Sequence, residues 1–182
     1  MRDLRSTSGK LAALALSVAV VSTVAPVTAE ARPRPRRGAR FEANKTFGLG
    51  LMLGVPSGLS GKYFVGRDQA FDFGVGVIGR YRNRDGLHLH FDYLWHPVVI
   101  AKTEPFELPL YFGLGARFFD WDDGDDDDFD IGLRVPVGIA FDFNNVPLDI
   151  FLEAAFVLDF ETGGRGTYAD VNGAAGIRYW FQ

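Results

Sequence analysis

The chain has 182 residues, a formal net charge of −4 and no cysteine, and 14% of its residues are aromatic. This length fits one domain besides a targeting segment, and the acidic balance argues against a nucleic-acid partner. Because no disulfide framework is possible, a core, a closed sheet or a membrane must hold the fold together.

Segment 1–31 is predicted to be a secretory signal peptide. Basic residues near the start precede an apolar run, Leu11–Ala25, and small residues follow it. A membrane-spanning helix needs about 20 apolar residues, whereas this run is shorter and is interrupted by hydroxyl side chains. We therefore expect an exported protein whose signal is cleaved near Ala29 or Ala31.

Residues 32–45 are predicted to form a disordered leader. The run RPRPRRGAR is basic and Pro-rich, so it cannot bury apolar surface. Contact of this leader with anionic lipid head groups or peptidoglycan is a second interpretation. Segment 1–31 has three basic and two acidic residues, so the chain beyond it carries a net charge of about −5.

From residue 46 to residue 182 the sequence alternates apolar residues with polar or small ones, which is the period of a β-strand. The predicted strands are 46–55, 59–65, 70–78, 87–96, 108–119, 130–143, 148–160 and 169–181. Eight sequential strands joined mostly by short turns predict an all-β fold, an eight-stranded antiparallel up-and-down β-barrel.

Three features of this alternation favour a transmembrane barrel over a soluble lipocalin-type barrel. The polar face is rich in glycine, which suits a narrow interior, and it carries charges of both signs at low density. Aromatic residues also cluster near the strand ends, as interfacial girdles require. With the signal peptide, these features predict a location in a bacterial outer membrane, in contact with its lipid.

The C-terminal run GIRYWFQ resembles the assembly signal that the barrel-assembly machinery recognises, with Gly176, Tyr179 and Phe181 at the matching positions. The runs GLSGKY, LPLYFGLGAR and RVPVG resemble a family of small bacterial outer-membrane proteins of unknown function that has spirochaete members. The resemblance covers nearly all of residues 46–182. It implies an eight-stranded barrel like the membrane domain of outer-membrane protein A, and no catalytic residues.

If the N-terminus lies in the periplasm, the loops 56–58, 79–86, 120–129 and 161–168 face outward. Transmembrane barrels have short periplasmic turns and longer outer loops. The link 97–107 would then be unusually long for a periplasmic turn, and the first outer loop unusually short.

The most unusual stretch is an acidic loop between the fifth and sixth strands, and its oxygen ligands could bind Ca²⁺. Its carboxylates are Asp120, Asp122, Asp123, Asp125, Asp126, Asp127, Asp128 and Asp130. The EF-hand spacing needs a glutamate at its twelfth position, where Leu133 and Arg134 lie instead. A solvated acidic surface is therefore the favoured interpretation of this loop, with a Ca²⁺ site as the alternative.

The alternation also predicts a network of charges inside the barrel, where side chains fill the narrow lumen. Its predicted members are Lys62, Asp72, Asp92, Arg117, Arg134, Glu153 and Arg178. These charges are expected to pair, because an unpaired buried charge costs about 3–5 kcal/mol.

Three histidines share this face, and a Zn²⁺ site at His88, His90 and His96 is a minor alternative to pairing with the buried acids. Serine nucleophiles are limited to Ser57 and Ser60 beyond the signal segment. A lipid A-modifying hydrolase using Ser60 is thus one alternative function, and a small-solute or lipid-binding barrel is another. The favoured expectation is a non-enzymatic envelope protein, structural or binding an extracellular protein ligand through its outer loops.

Overall fold

The computed structural model describes residues 38–81, 84–121, 129–161 and 166–181. The predicted signal peptide and residues 32–37 of the predicted leader lie outside this part of the chain. Eight strands lie within it: β1 Phe47–Gly54, β2 Ser57–Phe64, β3 Gln69–Tyr81, β4 Arg84–Lys102, β5 Phe106–Trp121, β6 Phe129–Phe143, β7 Leu148–Glu161 and β8 Gly166–Phe181.

The strands form a closed hydrogen-bonded ring. Each strand pairs antiparallel with the next one in the chain, and β8 returns to pair with β1. This architecture confirms the predicted all-β class, the number of strands and their antiparallel order. We call the end of the ring where β1 starts and β8 ends the base, and the opposite end the rim.

The register fixes the stagger of the ring. Successive cross-strand pairs lead from Gly48 on β1 to Asp170 on β8, by way of Lys62, Asp72, Asp92, Gly115, Arg134 and Val157. Gly48 itself pairs with Trp180, ten residues beyond Asp170. A stagger of this size with eight strands tilts them by about 40° and leaves an interior that side chains can fill.

Side chains alternate between the outside and the inside of the ring, as the pleat of a strand requires. On β6, Ile131, Leu133 and Val135 are exposed, whereas Gly132 and Arg134 are buried. Most apolar residues therefore face outward, whereas the charged and small residues face inward together with a few apolar ones such as Met52, Leu94 and Phe151.

Two predicted loops are shorter than expected because the flanking strands extend into them. The predicted loop 79–86 is largely strand, since β3 extends to Tyr81 and β4 begins at Arg84. The predicted outer loop 161–168 shrinks in the same way, with β7 ending at Glu161 and β8 beginning at Gly166.

The long periplasmic link predicted at 97–107 is wrong, because β4 continues to Lys102. The register between β4 and β5 shifts between Trp95 and Val98 and again between Val99 and Ala101. Such irregularities accommodate Pro97, which cannot donate to a regular ladder. Only residues 103–105 connect β4 to β5, so this connection is a short turn.

The first hairpin is lower than the rest of the ring. β1 ends at Gly54 opposite Ala174, and β8 continues beyond it to Gly166. On the other side β2 begins at Ser57 opposite Val77, and β3 continues to Tyr81. We call the gap above this hairpin, between β8 residues 166–173 and β3 residues 78–81, the notch.

Residues 38–45 differ from the predicted disordered leader, because they pack along the base. Ala39 forms a bridge with Val99, and the Ala43 amide donates to the Arg67 carbonyl oxygen. Phe41 is 3% exposed. This phenylalanine supplies the apolar burial that holds residues 38–45 against the base.

Candidate functional site

The interior of the ring carries the chemistry-bearing side chains. All seven residues of the predicted charge network are inside the ring, where six are buried and Glu153 is half-buried. Three arginines lie at successive heights from base to rim, and each contacts two carboxylates. We call each of these groups an arginine clamp and describe them in that order.

The base clamp is centred on Arg178. Its Nη1 donates to Asp72 Oδ1 at 2.6 Å, and its Nε donates to Asp149 Oδ1 at 3.2 Å. The guanidinium carbon lies 4.1 Å from the ring centroid of Phe151. A Cβ at Gly176 would lie 2.4 Å from that ring, so this glycine makes room for the clamp.

The middle clamp is centred on Arg134. Its Nε donates to Asp92 Oδ2 at 2.8 Å, and its Nη2 donates to Glu153. The hydroxyl of Tyr111 donates to the other Glu153 oxygen at 3.1 Å. A Cβ at Gly115 would lie 2.1 Å from Asp92 Oδ1, so only glycine leaves this carboxylate its place.

The rim clamp is centred on Arg117. Its Nε donates to Asp159 Oδ1 at 2.7 Å, and Nη2 lies 3.8 Å from Asp170 Oδ2. With its amide oriented to satisfy both neighbours, Asn172 accepts from Arg117 at 2.7 Å and donates to Asp170 at 2.9 Å. Gly132 makes room here, because a Cβ would lie 2.2 Å from Asp159 Oδ1.

Lys62, the fourth predicted cation of the network, is held differently. Its Nζ lies 4.3 Å from the ring centroid of Tyr111 and 5.6 Å from that of Phe64. An ammonium over an aromatic face is stabilised by the negative face of the ring. The predicted network thus joins carboxylates to three arginines and places its lysine among aromatic rings near the base.

Sequence reasoning left four residues out of this network: Asp149, Asp159, Asp170 and Tyr111. A usable signal existed for β7, since Asp149, Glu153 and Asp159 are all odd-numbered and therefore share a face. Tyr111 and Arg117 are both odd-numbered residues of β5, so alternation places them on the same face. Alternation does not reveal that the Tyr111 hydroxyl bonds to Glu153 on another strand.

The base of the lumen is closed by aromatic rings. Phe41 lies 5.6 Å from Phe64 and 5.1 Å from His96, measured between ring centroids. Phe64 in turn stacks on Trp180 at 5.5 Å. We call these four residues the base plug. Since Phe41 precedes β1, the leader completes the plug.

The three histidines do not converge on one site. His88 Nε2 and His90 Nδ1 are 3.2 Å apart, and His90 Nε2 lies 3.9 Å from Asp72 Oδ2. His96 lies in the base plug instead, with its Nδ1 3.2 Å from the Asp68 carbonyl oxygen. Within the described ranges, no group of three or more His, Cys, Asp or Glu side chains could hold a metal ion.

The two serines also occupy separate places. Ser57 bonds to the backbone of Gly54 in the first hairpin. Ser60 faces the lumen and is 1% exposed, and its Oγ has no hydrogen-bond partner in the described chain. A serine nucleophile needs a base within hydrogen-bond reach, and Ser60 has none among these residues.

Only the two ends of the predicted acidic loop lie among the described residues. Asp122, Asp123, Asp125, Asp126, Asp127 and Asp128 lie outside the described residues. Asp120 is exposed, whereas Asp130 is buried and accepts a hydrogen bond from the Tyr168 hydroxyl at 2.6 Å. The two flanking aspartates therefore face opposite sides of the wall.

The residues that resemble an assembly signal lie on β8. Tyr179 and Phe181 face outward and are each 49% exposed, with ring centroids 5.2 Å apart. Gly176 faces inward beneath Phe151, where the base clamp needs its lack of a side chain.

Comparison with known proteins does not assign the chain to a family. No family model, no curated protein and no solved structure matches it. Within the described part of the chain, no helix is both long and apolar enough to cross a bilayer. The geometry of the ring therefore carries the functional argument.

Proposed function

We propose that the chain is an integral outer-membrane β-barrel, with no enzymatic activity, that forms a closed and non-conducting wall across the bilayer. It would serve as a structural protein of the envelope or bind an extracellular protein ligand at its rim. The motifs that resemble a family of small outer-membrane proteins agree with this proposal. The C-terminal run would be read by the barrel-assembly machinery.

The observation that carries the proposal is the inverted distribution of polarity. Large apolar side chains are exposed around the ring, among them Leu53 at 74%, Val77 at 62% and Leu51 at 59%. Buried charges fill the inside instead, including Arg134 at 2% and Arg178 at 1%. An exposed apolar surface of this extent is unfavourable in water and favourable in hydrocarbon. A closed ring also satisfies its backbone hydrogen-bonding groups within hydrocarbon.

The filled lumen supports a wall rather than a channel. Eight strands enclose a space that side chains can fill, and here the three arginine clamps and the base plug occupy it. Paired charges in such a space hold each other in place, so the interior is suited to rigidity. This arrangement favours the structural and rim-binding functions over transport or storage of a small solute.

The hydrolase alternative receives less support. Ser60 lies inside the ring without a base at its Oγ, and the two neighbouring histidines bond to each other. Analysis of lipid A from cells that produce the wild type and Ser60→Ala tests this alternative. We expect identical lipid A from both, and a modification that disappears with the substitution would establish the hydrolase.

The membrane proposal is tested with an outward charge. Val137 is 48% exposed in the middle of β6, so Val137→Arg should weaken membrane insertion by about 2–4 kcal/mol. The matched control is Glu104→Arg, in an exposed turn at the base. The measurements are outer-membrane fractionation and the mobility of unheated and boiled samples on a gel.

We expect the wild type and Glu104→Arg in the outer-membrane fraction, each changing mobility on boiling. Val137→Arg should fall to a small fraction of that amount. A soluble wild type whose yield is unaffected by Val137→Arg would contradict the proposal.

A further inference from the structure

The notch leaves a stretch of β8 without a neighbouring strand from β1. Gly54 is the last β1 residue opposite β8, and the Val55 amide donates to the Gly173 carbonyl oxygen at 2.9 Å. Beyond that bond, among the described residues, no β1 residue lies opposite Ala169, Asp170 or Val171. As far as the described residues go, the notch is therefore an open strand edge in an otherwise closed ring.

The direction of the backbone groups on this edge follows from the same bond. In an antiparallel ladder, the N–H and C=O of one residue point to the same side, and the next residue points to the other. The Gly173 carbonyl points toward β1 and the Trp180 amide points toward β7, where it bonds to the Pro147 carbonyl oxygen. By parity, the backbone groups of Thr167, Ala169 and Val171 point into the notch.

The width of the notch suits an added strand. β8 and β3 are separated there by the two strand positions that β1 and β2 occupy lower down. Three strand spacings correspond to about 14 Å. Open edges of this kind pair readily with another extended chain.

The side chains along the edge specify the chemistry of the occupant. Ala169 and Val171 are exposed on the outer, apolar face, and Val171 is 68% exposed. On the inner face, Asp170 accepts a hydrogen bond from Asn172 at 2.9 Å and lies 3.8 Å from Arg117, whose closer hydrogen bonds go to Asp159 and Asn172. An occupant strand that alternates apolar residues with basic ones would match both faces.

From these observations we infer that the β8 edge at the notch is a strand-addition site for an extended segment of another protein, one that alternates apolar and basic residues. Main-chain hydrogen bonds to Ala169 and Val171 provide the pairing, and Asp170 selects the charge. A second copy of β8 is a poorer fit, because the antiparallel register that places Ala169 opposite Val171 brings two Asp170 side chains together. The inference rests on the proposed membrane placement only for the apolar side of the occupant.

The probe is a labelled nonapeptide, VKVKVKVKV, added to the full-length protein folded in detergent micelles. A peptide with glutamate in place of lysine is the charge control. Two further versions carry N-methyl groups on alternate amides. One is methylated on the valine amides and the other on the lysine amides. Fluorescence anisotropy measures binding, and the mobility shift on boiling verifies in each sample that the ring is closed.

We expect saturable binding of the lysine peptide and at least tenfold weaker binding of the glutamate peptide. One N-methylated version should lose at least tenfold in affinity, because it lacks the N–H groups that face β8. On the protein side, Val171→Pro removes an N–H that points into the notch without removing a bond to β7. It should weaken binding at least tenfold, whereas Val171→Ala, which keeps that N–H, should bind as the wild type does.

No binding to the closed wild-type ring, or equal binding of the unmodified peptide and both N-methylated versions, would overturn the inference. The N-methylated peptides decide the question on wild-type protein, even where Val171→Pro does not fold. A protein that binds the peptide but is found outside the outer membrane would contradict the proposed function and leave the strand-addition site standing. A protein found in the outer membrane that does not bind the peptide would contradict the strand-addition site and leave the proposed function standing.

Discussion

The base and the rim of this ring are built by different means. At the base all eight strands are present, the base plug closes the lumen, and Arg178 contacts Asp72 and Asp149. At the rim the first hairpin has already ended, and Arg117 has Asp159 and Asp170 around it. The base therefore has the features of a structural element, whereas the rim combines open backbone groups with carboxylates.

This difference indicates where stability and binding should separate. Substitutions at the clamps and the plug should change the free energy of unfolding. Substitutions around the notch should change exchange or binding and leave the ring closed. The following predictions test that separation.

The largest effect is expected at the middle clamp. Arg134→Ala leaves Asp92 and Glu153 buried without their common cation, which should lower the free energy of unfolding by about 3–5 kcal/mol. Urea unfolding in lipid vesicles measures the change. In the control, Arg134→Met is combined with Asp92→Leu and Glu153→Leu, which removes the whole ionic group and should recover most of the loss. Equal destabilisation of both variants would mean that packing rather than pairing matters here.

The next effect is expected at the base plug. Phe41→Ala removes a buried ring that packs against both Phe64 and His96, so it should lower the free energy of unfolding by about 3 kcal/mol. It should also make residues 38–45 sensitive to protease. The matched control is Glu42→Ala, whose side chain is exposed, with little expected change. If the stability of Phe41→Ala equals that of the wild type, the leader is not part of the plug.

Hydrogen exchange compares the two ends within a single strand. The amides of Ala169 and Val171 point into the notch, whereas those of Ile177 and Tyr179 point to the same side and pair with β1. We expect the first pair to exchange about 100-fold faster than the second, because local opening is not needed to expose them. Equal protection of the two pairs would show that another segment covers the notch.

The smallest effect is expected from chelation. If the acidic stretch between β5 and β6 is a solvated surface, removing Ca²⁺ with a chelator should shift the unfolding temperature by less than about 1 °C, because stabilisation by a ligand requires binding to the folded state. A magnesium chelate of the same agent serves as the control. A shift of several degrees that Ca²⁺ reverses would instead support the calcium site.

The sequence was sufficient for the class and order of the strands, because the alternation is strict over β4 and β6. It failed where a proline was taken as the end of a strand, since Pro97 is absorbed by register shifts in β4. The sequence also did not predict that Phe41 packs at the base, because a single buried ring in a basic stretch forms no alternating pattern. The alternation of residues along each strand identified the face that carries the charges. It did not identify the partners of the three clamp arginines, because these depend on which strands face each other across the lumen.

The base clamp has a consequence for the order in which the chain assembles. Arg178 and Asp72 are 106 residues apart and lie on the eighth and third strands. Until the last strand arrives, Asp72 and Asp149 face the interior without this arginine. A chain that stalls before β8 would thus keep these two carboxylates without the arginine that they share in the closed ring. The final strand both closes the ring and completes the base clamp, so closure of the sheet and pairing of these two carboxylates coincide in one step.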